Sequence, residues 1–179
     1  MSDRGLPKLK GCDIIDFSKL SNTEVIRLYS DSIKALKQRG ILRTNNVIGE
    51  LGEYLAIEHF SKTPGLPKLQ AAPVGTENID AISRHGDRYS IKSTSGNTTG
   101  VFYGLQPKGS AATDPQKFEY VLICKFDENC ALEAIYQITW EQFQKHKRWH
   151  SRMQEWNLTL SKSLISDSVV IYKSSISLT

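Results

Sequence analysis

Residues 78–93 constrain the fold of this chain more than any other stretch, because they have the pattern of a β-hairpin. Two runs of β-forming residues flank a polar turn that contains Gly86. Asp80 lies in the first run and Lys92 in the second. Since side chains alternate between the faces of a strand, an odd number of turn residues places both on one face. A turn over residues 85–87 would set them directly opposite each other, and an even-numbered turn without a bulge would separate them. The sequence leaves both arrangements open.

An aspartate and a lysine on one face of a sheet are consistent with two different roles. In a metal-assisted phosphodiester hydrolase, Asp80 would hold a divalent cation, which would polarise the phosphate and activate a bound water. Lys92 would orient that water or stabilise developing negative charge. The alternative is a cross-strand salt bridge on a solvated face, which contributes at most about 1 kcal/mol. The hairpin alone favours the salt bridge, because both residue types are common on surfaces.

A helical segment at residues 46–60 precedes the hairpin and carries two carboxylates, Glu50 and Glu53. A carboxylate in a packed environment is costly unless it is paired or holds a metal. We predict Glu53 as the inward carboxylate and keep Glu50, in a more polar sector, as second choice. The glycines of this helix each cost about 1 kcal/mol of helix propensity, which close approach to a sheet or to a phosphate backbone would explain. On a helical wheel the neighbours of Glu53 are small or apolar, namely Gly49, Ala56, Ile57 and Phe60.

Three short motifs follow one another along the chain. They are Gly-Glu-Leu-Gly-Glu in the helix, Ile-Asp-Ala-Ile in the first strand and Tyr-Ser-Ile-Lys-Ser in the second. Together they resemble the PD-(D/E)XK nuclease superfamily, which has the restriction-endonuclease-like fold, and the resemblance covers residues 47–93 directly. In that family a helix glutamate, a strand aspartate and a (D/E/Q)-x-Lys element form the metal site. By position, the resemblance implies catalytic roles for Glu53, Asp80 and Lys92, with Glu50 as a further candidate.

The resemblance also implies a cofactor and a role for each site residue. Mg²⁺ or Mn²⁺ would be held by Asp80, Glu53 and the backbone carbonyl of Ile91. Lys92 would position the attacking water. This constellation predicts a divalent-metal-dependent DNA endonuclease of restriction or defence type. Since one active site cuts one strand, we expect a two-fold homodimer on DNA.

The chain departs from the family pattern at two positions. Ser90 stands two residues before Lys92, where most relatives have Glu, Asp or Gln, and Ile79 replaces the proline of the family name. Ser90 can accept a metal-bound water but brings no charge. This departure supports a second hypothesis, a catalytically silent nucleic-acid-binding or protein-interaction domain on the same fold. A third is an RNA-directed or repair nuclease, because the motif does not report the polymer.

Length and composition indicate a globular protein. The 179 residues fit one domain, and we expect an N-terminal arm over residues 1–20 and a single nuclease-like domain over residues 21–179. No stretch has the pattern of a membrane span or a signal peptide. The three cysteines have no metal-ligand spacing, which predicts reduced thiols and a cytoplasmic protein. The net charge of +4 mildly favours a polyanionic partner.

The remaining pattern predicts an α/β fold in which helices flank a central mixed β-sheet. A capping box at Ser21 begins a helix that extends to about Arg39, with its apolar positions in the core. Thr44 or Asn45 caps the second helix, which ends before Pro64. Residues 121–124 are expected to be buried on both faces. Beyond the hairpin, strands are predicted over residues 68–72, 118–126, 131–138, 157–160 and 168–172.

A third predicted helix begins at Thr139 and carries basic and aromatic residues. Interleaved cations and aromatic rings suit binding to a nucleic-acid backbone and stacking on bases. A solvated basic helix whose tryptophans anchor it to the core is equally supported. The loop over residues 106–114 adds a further candidate contact to DNA. The cations predicted to contact DNA are Lys108, Lys145, Lys147, Arg148 and Arg152.

Overall fold

A computed structural model describes residues 15–73 and 75–174. The chain divides into two compact units, residues 1–42 and residues 43–179. The first 14 residues of the expected N-terminal arm, including Cys12, lie outside the described residues. The division groups the first helix with the N-terminal unit, whereas the sequence analysis placed it in the main domain.

The N-terminal unit contains a 3₁₀ turn at Phe17–Lys19 and helix α1 at Asn22–Gln38. The predicted capping box is confirmed, since the Ser21 hydroxyl accepts from the Glu24 amide and the Glu24 carboxylate accepts from the Ser21 amide. The expectation that its apolar positions form core is wrong, because no residue of α1 is buried in the described structure. Helical periodicity predicts an apolar face, but it does not say whether the chain supplies a partner for that face. Exposed apolar side chains of α1 include Val25, Ile26 and Tyr29.

The second unit is built on a six-stranded mixed sheet, as predicted, with strand order β1-β2-β3-β4-β5-β8. Strands β3 and β4 are parallel, and every other neighbouring pair is antiparallel. The sheet strands are β1 (Leu69–Ala71), β2 (Ala81–Ser83), β3 (Arg88–Thr94), β4 (Tyr120–Phe126), β5 (Leu132–Thr139) and β8 (Val169–Lys173).

Three helices complete this unit: α2 (Val47–Lys62), α3 (Trp140–His146) and α4 (Lys162–Asp167). The N-cap of α2 is Asn46, one residue after the predicted alternatives, and its side chain accepts from the Gly49 amide. A core cluster between α2 and the sheet contains Leu122 and Cys124 of β4. The alternate residues Val121 and Ile123 belong to a second cluster with residues of α3 and α4. Strand β4 is therefore buried on both faces, as its apolar sequence predicts.

The structure differs from the prediction after α3. The helix ends at His146, and residues 148–150 form strand β6 (Arg148–His150), which pairs with β7 (Glu155–Asn157). The prediction of a helix through His150 is wrong, because Trp149 packs against Trp156 across this hairpin, with ring centroids 5.2 Å apart. The strand expected over residues 157–160 is displaced toward the N-terminus, because β7 ends at Asn157 and Thr159 forms only an isolated bridge with Thr98. Helix α4 was not predicted. Strand β8 lies at the sheet edge, as expected.

Cys124 is buried in the core, as its apolar surroundings predict, and Cys130 is exposed. Both thiols are unpaired. Among the helices that the structure describes, none has the length and apolar character needed to cross a membrane.

Helix α2 approaches β3 most closely at Gly52. A methyl group added to this residue would lie 1.8 Å from the Ser93 hydroxyl oxygen and 3.3 Å from Cβ of Cys124. The prediction that close approach to a sheet explains a helix glycine is thus confirmed for Gly52. Gly49 has a different reason, because its added Cβ would collide with the side chain of the N-cap residue Asn46.

Replacing Gly52 with alanine is expected to lower the free energy of unfolding by about 1 to 3 kcal/mol, the usual cost of overpacking. The gain in helix propensity, about 1 kcal/mol, opposes this loss. Denaturation followed by tryptophan fluorescence measures it, since Trp140, Trp149 and Trp156 all lie in the second unit. In a double-mutant cycle, Ser93→Ala should recover part of the loss. A Gly52→Ala protein as stable as the wild type would contradict the packing argument.

Candidate active site

The β2–β3 hairpin decides where Asp80 and Lys92 lie. Ala81 pairs with Tyr89, and the Ser83 amide donates to the Asp87 carbonyl at 2.9 Å. The connection is therefore the three residues 84–86, one position earlier than the turn over residues 85–87 that would set Asp80 opposite Lys92. The number of turn residues is odd, as the predicted site requires. The shifted turn brings Asp80 beside Ser90 instead of opposite Lys92.

The Asp80 carboxylate is held by the neighbouring strand. Its Oδ2 accepts a hydrogen bond from the Ile91 amide at 2.6 Å and a longer one from the Ser90 hydroxyl at 3.4 Å. Ser90 and Lys92 share one face of β3, because side chains alternate along a strand. The carboxylate of Asp80 thus reaches the face that carries Lys92, although the two residues are not opposite each other.

The backbone carbonyl of Ile91 also points toward β2, the side of β3 on which Asp80 lies. The Tyr89 carbonyl accepts from the Asp80 amide at 2.9 Å, which shows that it points toward β2. Carbonyls of alternate residues in a strand point the same way, so the Ile91 carbonyl has the same direction. The oxygen predicted as a metal ligand is therefore placed on the Asp80 side of β3.

The two helix carboxylates have the opposite burial from that predicted. Glu50 is 6% exposed, whereas the Glu53 side chain is 32% exposed. The wheel argument failed because Glu50 is covered by the chain that precedes α2. The backbone amides of Arg43 and Thr44 both donate to its carboxylate, that of Thr44 at 3.0 Å.

Those contacts set the charge state of Glu50. Burial acts to raise the pKa of its carboxyl group, but the hydrogen bonds from the Thr44 and Arg43 amides and the positive charge of Arg43 outweigh it. The pKa of Glu50 is therefore held below its ordinary value, and the carboxylate is ionised and fully engaged. Glu50 supports the start of α2, and its oxygens already serve backbone donors.

Glu53 has the opposite electrostatic environment. Burial raises the pKa of Glu53, and the negative charge of Asp80 raises it further. The positive charges of Arg43 and Lys92 lower it but do not compensate. The charges of Asp80 and Lys92 thus both act on Glu53. Lys92 itself lies on the face of β3 opposite α2, because its neighbour Ser93 faces Gly52. The choice of Glu53 over Glu50 as a metal ligand stays a prediction.

Lys92 is half-buried beside an aromatic ring. Its Nζ lies 5.1 Å from the ring centroid of Phe102, which is fully buried in the second core cluster. A cation above a ring face is attracted by the ring quadrupole. This contact orients the ammonium group, whose positive charge acts to lower the pKa of Glu53.

Arg43 is a member of the site that the sequence analysis missed. Its Nη2 lies 2.9 Å from Oε2 of Glu53, and its Nε lies 3.9 Å from Oε1 of Glu50. A helical wheel cannot find it, because Arg43 lies outside the helix and reaches the carboxylates from the preceding segment. A basic residue just before a helix with two carboxylates three residues apart was the available signal.

The described residues offer a hard divalent cation few protein ligands. Among residues 15–73 and 75–174, no three side chains of His, Cys, Asp or Glu form a group that could hold a metal ion. The oxygens available are the coupled carboxylates of Glu53 and Asp80 and the carbonyl of Ile91. Mg²⁺ commonly binds one or two carboxylates and completes its octahedron with waters and substrate phosphate. These residues therefore fit a magnesium site of that open kind, and do not fit a cage made only of protein ligands.

The predicted DNA-contacting cations fall into two groups. Lys145 forms an ion pair of 2.6 Å with Asp167. Lys147 pairs with Asp114 and is 13% exposed, and its Nζ lies 4.5 Å from the ring centroid of Trp156. The Lys147 ammonium is thus neutralised by a buried carboxylate, whereas the Lys145 pair is exposed and weak. The three others are exposed at the surface, namely Lys108, Arg148 and Arg152.

Asp114 organises the loop over residues 106–114. Its carboxylate accepts from the Gln106 amide and from the side chain of Lys147, and the Trp156 indole donates to the Gln106 carbonyl at 2.7 Å. These contacts fix the two ends of the loop, Gln106 and Asp114, whereas Lys108 near its tip is exposed. An open pocket of about 460 Å³ lies between this loop, α3 and Trp156.

No protein-family model and no curated protein matches the chain.

The two helix glutamates are expected to affect stability with opposite pH dependence. The pKa of Glu50 is lowered on folding, so wild type should exceed Glu50→Gln in stability by about 1 to 3 kcal/mol at neutral pH. That advantage is present above the unfolded pKa of 4.5 and is lost as pH falls through the folded pKa. The pKa of Glu53 is raised, so ionised Glu53 reduces stability as pH rises from 4.5 through its folded pKa.

The measurement is denaturant unfolding of wild type, Glu50→Gln and Glu53→Gln between pH 3 and pH 8. Relative to Glu53→Gln, wild type should lose stability as pH rises, whereas relative to Glu50→Gln it should gain. Two parallel difference curves would show that the charge environments of the two residues are misassigned.

Proposed function

We propose that this protein is a divalent-metal-dependent endonuclease that hydrolyses DNA phosphodiester bonds, on a restriction-endonuclease-like fold. The observation that supports the proposal best is that the Asp80 carboxylate, held by the Ile91 amide at 2.6 Å, reaches the face of β3 that carries Lys92. The charges of both residues also act on the pKa of Glu53 in α2. The mixed six-stranded sheet, with α2 packed on the hairpin, is compatible with that architecture.

Each residue has a role that follows from its environment. Asp80 and Glu53, with the Ile91 carbonyl, would hold Mg²⁺ or Mn²⁺. When bound, the ion polarises the phosphate and lowers the pKa of a bound water. Asp80 is oriented for this role by the Ile91 amide. Lys92, held beside Phe102, would position the nucleophilic water and stabilise charge on the phosphate.

One observation favours a second candidate, a catalytically silent nucleic-acid-binding or interaction domain. Ser90 stands where relatives have Glu, Asp or Gln, and its side chain is fully buried. Its hydroxyl is directed at Asp80, so the position supports Asp80 and supplies no anionic ligand. A silent domain would bind no Mg²⁺ or Mn²⁺ through Glu53 and Asp80. An RNA-directed or repair nuclease is the remaining alternative, which substrate choice distinguishes.

Plasmid, linear duplex, single-stranded DNA and RNA should be incubated with the protein, with and without Mg²⁺ or Mn²⁺. We expect cleavage of duplex DNA only with metal, and its loss in Asp80→Asn. Lys92→Ala should lower the rate by about 10² to 10³, the usual cost of removing one transition-state donor. Linear plasmid as the first product would support the proposed homodimer, and nicked circles would support a monomer.

Lys173→Ala is the matched control, because it removes an exposed lysine from the edge strand β8. It should cleave as the wild type does. Full activity in Lys92→Ala would rule out the proposed mechanism. Absence of both cleavage and carboxylate-dependent metal binding in the wild type would leave the silent domain as the function.

The surface cations predict a specific salt dependence of DNA binding. If Arg148 and Arg152 contact phosphates, replacing both with alanine should reduce the magnitude of the log-log salt slope by about 2, since each contact contributes roughly 0.9. Lys147→Gln should leave the slope nearly unchanged, because the buried carboxylate of Asp114 already neutralises that lysine. Fluorescence anisotropy with a duplex at several salt concentrations measures the slopes of the wild type and both variants. A larger change for Lys147 than for the two arginines would show that the pairing does not control access to phosphate.

A further inference from the structure

The Arg43 guanidinium lies beside Glu53, at the position where the proposed site would bind a divalent cation. Its guanidinium bonds to Glu53 at 2.9 Å and lies 3.9 Å from Glu50, so one side chain spans both helix carboxylates. Glu53 is also the carboxylate on which the charges of Asp80 and Lys92 act. The Arg43 side chain therefore occupies one of the two carboxylates that the proposed metal would use.

The backbone and the side chain of Arg43 are held differently. The backbone amides of Arg43 and Thr44 donate to Glu50, which is 6% exposed and buried under them. The side chain is 55% exposed and pairs with Glu53, which is itself partly exposed. An ion pair of this exposure is weak. The guanidinium can consequently leave Glu53 while Glu50 keeps the backbone in place.

We propose that Arg43 is a built-in counter-ion that competes with the divalent cation for Glu53 and is displaced when the cation binds. This inference rests on the proposed function, because it concerns the same metal site. The ion pair and the metal bond use the same carboxylate, so each weakens the other by the same factor. Arg43 thereby sets the cation concentration at which the site fills.

The side-chain contact of Arg43 with Glu53 and its backbone contact with Glu50 should respond differently to substitution. Removing the side chain of Arg43 frees Glu53 but leaves the amide bonds to Glu50, which depend only on the backbone. The fold should therefore survive substitution of Arg43. A lysine at this position retains the charge and should retain most of the competition, although it lacks the planar fork of the guanidinium.

Calorimetric titration with Mn²⁺ alone tests the competition without any turnover. Arg43→Gln should bind Mn²⁺ about two- to fivefold more tightly than the wild type, the range that an ion pair of this exposure contributes. Arg43→Lys should bind nearly as the wild type does. Arg84→Gln is the control for loss of one positive charge, because Arg84 is exposed at the tip of the β2–β3 turn. It should leave the affinity unchanged.

A second arm uses the Glu53→Gln background, in which the shared carboxylate is absent. Arg43→Gln should give no gain in Mn²⁺ affinity there, which separates competition at Glu53 from a general change in charge. Wild type that binds Mn²⁺ with the same affinity as Arg43→Gln would overturn the counter-ion role and leave the proposed function standing. Absence of Mn²⁺ binding in both proteins would overturn the inference and the metal site together.

Discussion

The close approach of α2 to β3 at Gly52 controls the distance between the helix that carries Glu53 and the hairpin that carries Asp80 and Lys92. Glu53 follows Gly52 directly in the sequence, so the contact of Gly52 with Ser93 places the next carboxylate at the hairpin. Any side chain at Gly52 would push α2 away from the sheet. The electrostatic coupling of Glu53 to Asp80 would then weaken, because charge interactions fall with distance.

Two carboxylates three residues apart on one helix serve different purposes here. Glu50 is buried, but backbone amides satisfy it and keep its pKa low. Glu53 is more exposed, yet the charge of Asp80 and partial burial keep its pKa high. Burial alone therefore does not show which carboxylate is available to a ligand. The informative quantity is how completely the protein has compensated each charge, and Glu53 is the less compensated of the two.

The sequence predicted those features that depend on local spacing. The capping box at Ser21 and the buried strand β4 follow from patterns within a few residues. The number of residues in the turn at Gly86 was left open by the sequence and is fixed by the pairing of β2 with β3. Features that depend on residues distant in the sequence were either not predicted or predicted wrongly. The burial of Glu50 depends on amides six and seven residues earlier, and no helical wheel includes them. Helix α3 ends where the Trp149–Trp156 contact favours a hairpin, and that contact was not visible in the pattern.

Partners that are distant in the sequence also decide which basic residues remain available at the surface. The sequence grouped Lys145, Lys147 and Arg148 as one basic helix, and the structure separates them by their partners. Lys147 is sequestered with Asp114 and stabilises the loop that carries Lys108, whereas Arg148 remains at the surface. A count of cations along a segment thus overestimates the field that a phosphate backbone would meet, because carboxylates from distant segments neutralise part of it.

The absence of an acidic residue at Ser90 has a consequence for how the proposed nuclease would fill its metal site. Two carboxylates and one carbonyl would leave about half of the six coordination positions of Mg²⁺ to water and to substrate phosphate. A phosphate oxygen that joins the coordination shell adds the negative charge that Ser90 does not supply. By linkage, DNA binding and cation binding should then strengthen each other. The proposed competition from Arg43 at Glu53 would lower cation affinity further, so the contribution of the phosphate to cation binding would matter more. Under the proposed function, the site would thus be loaded mainly on its substrate, which limits cleavage to the complex in which both ligands are present.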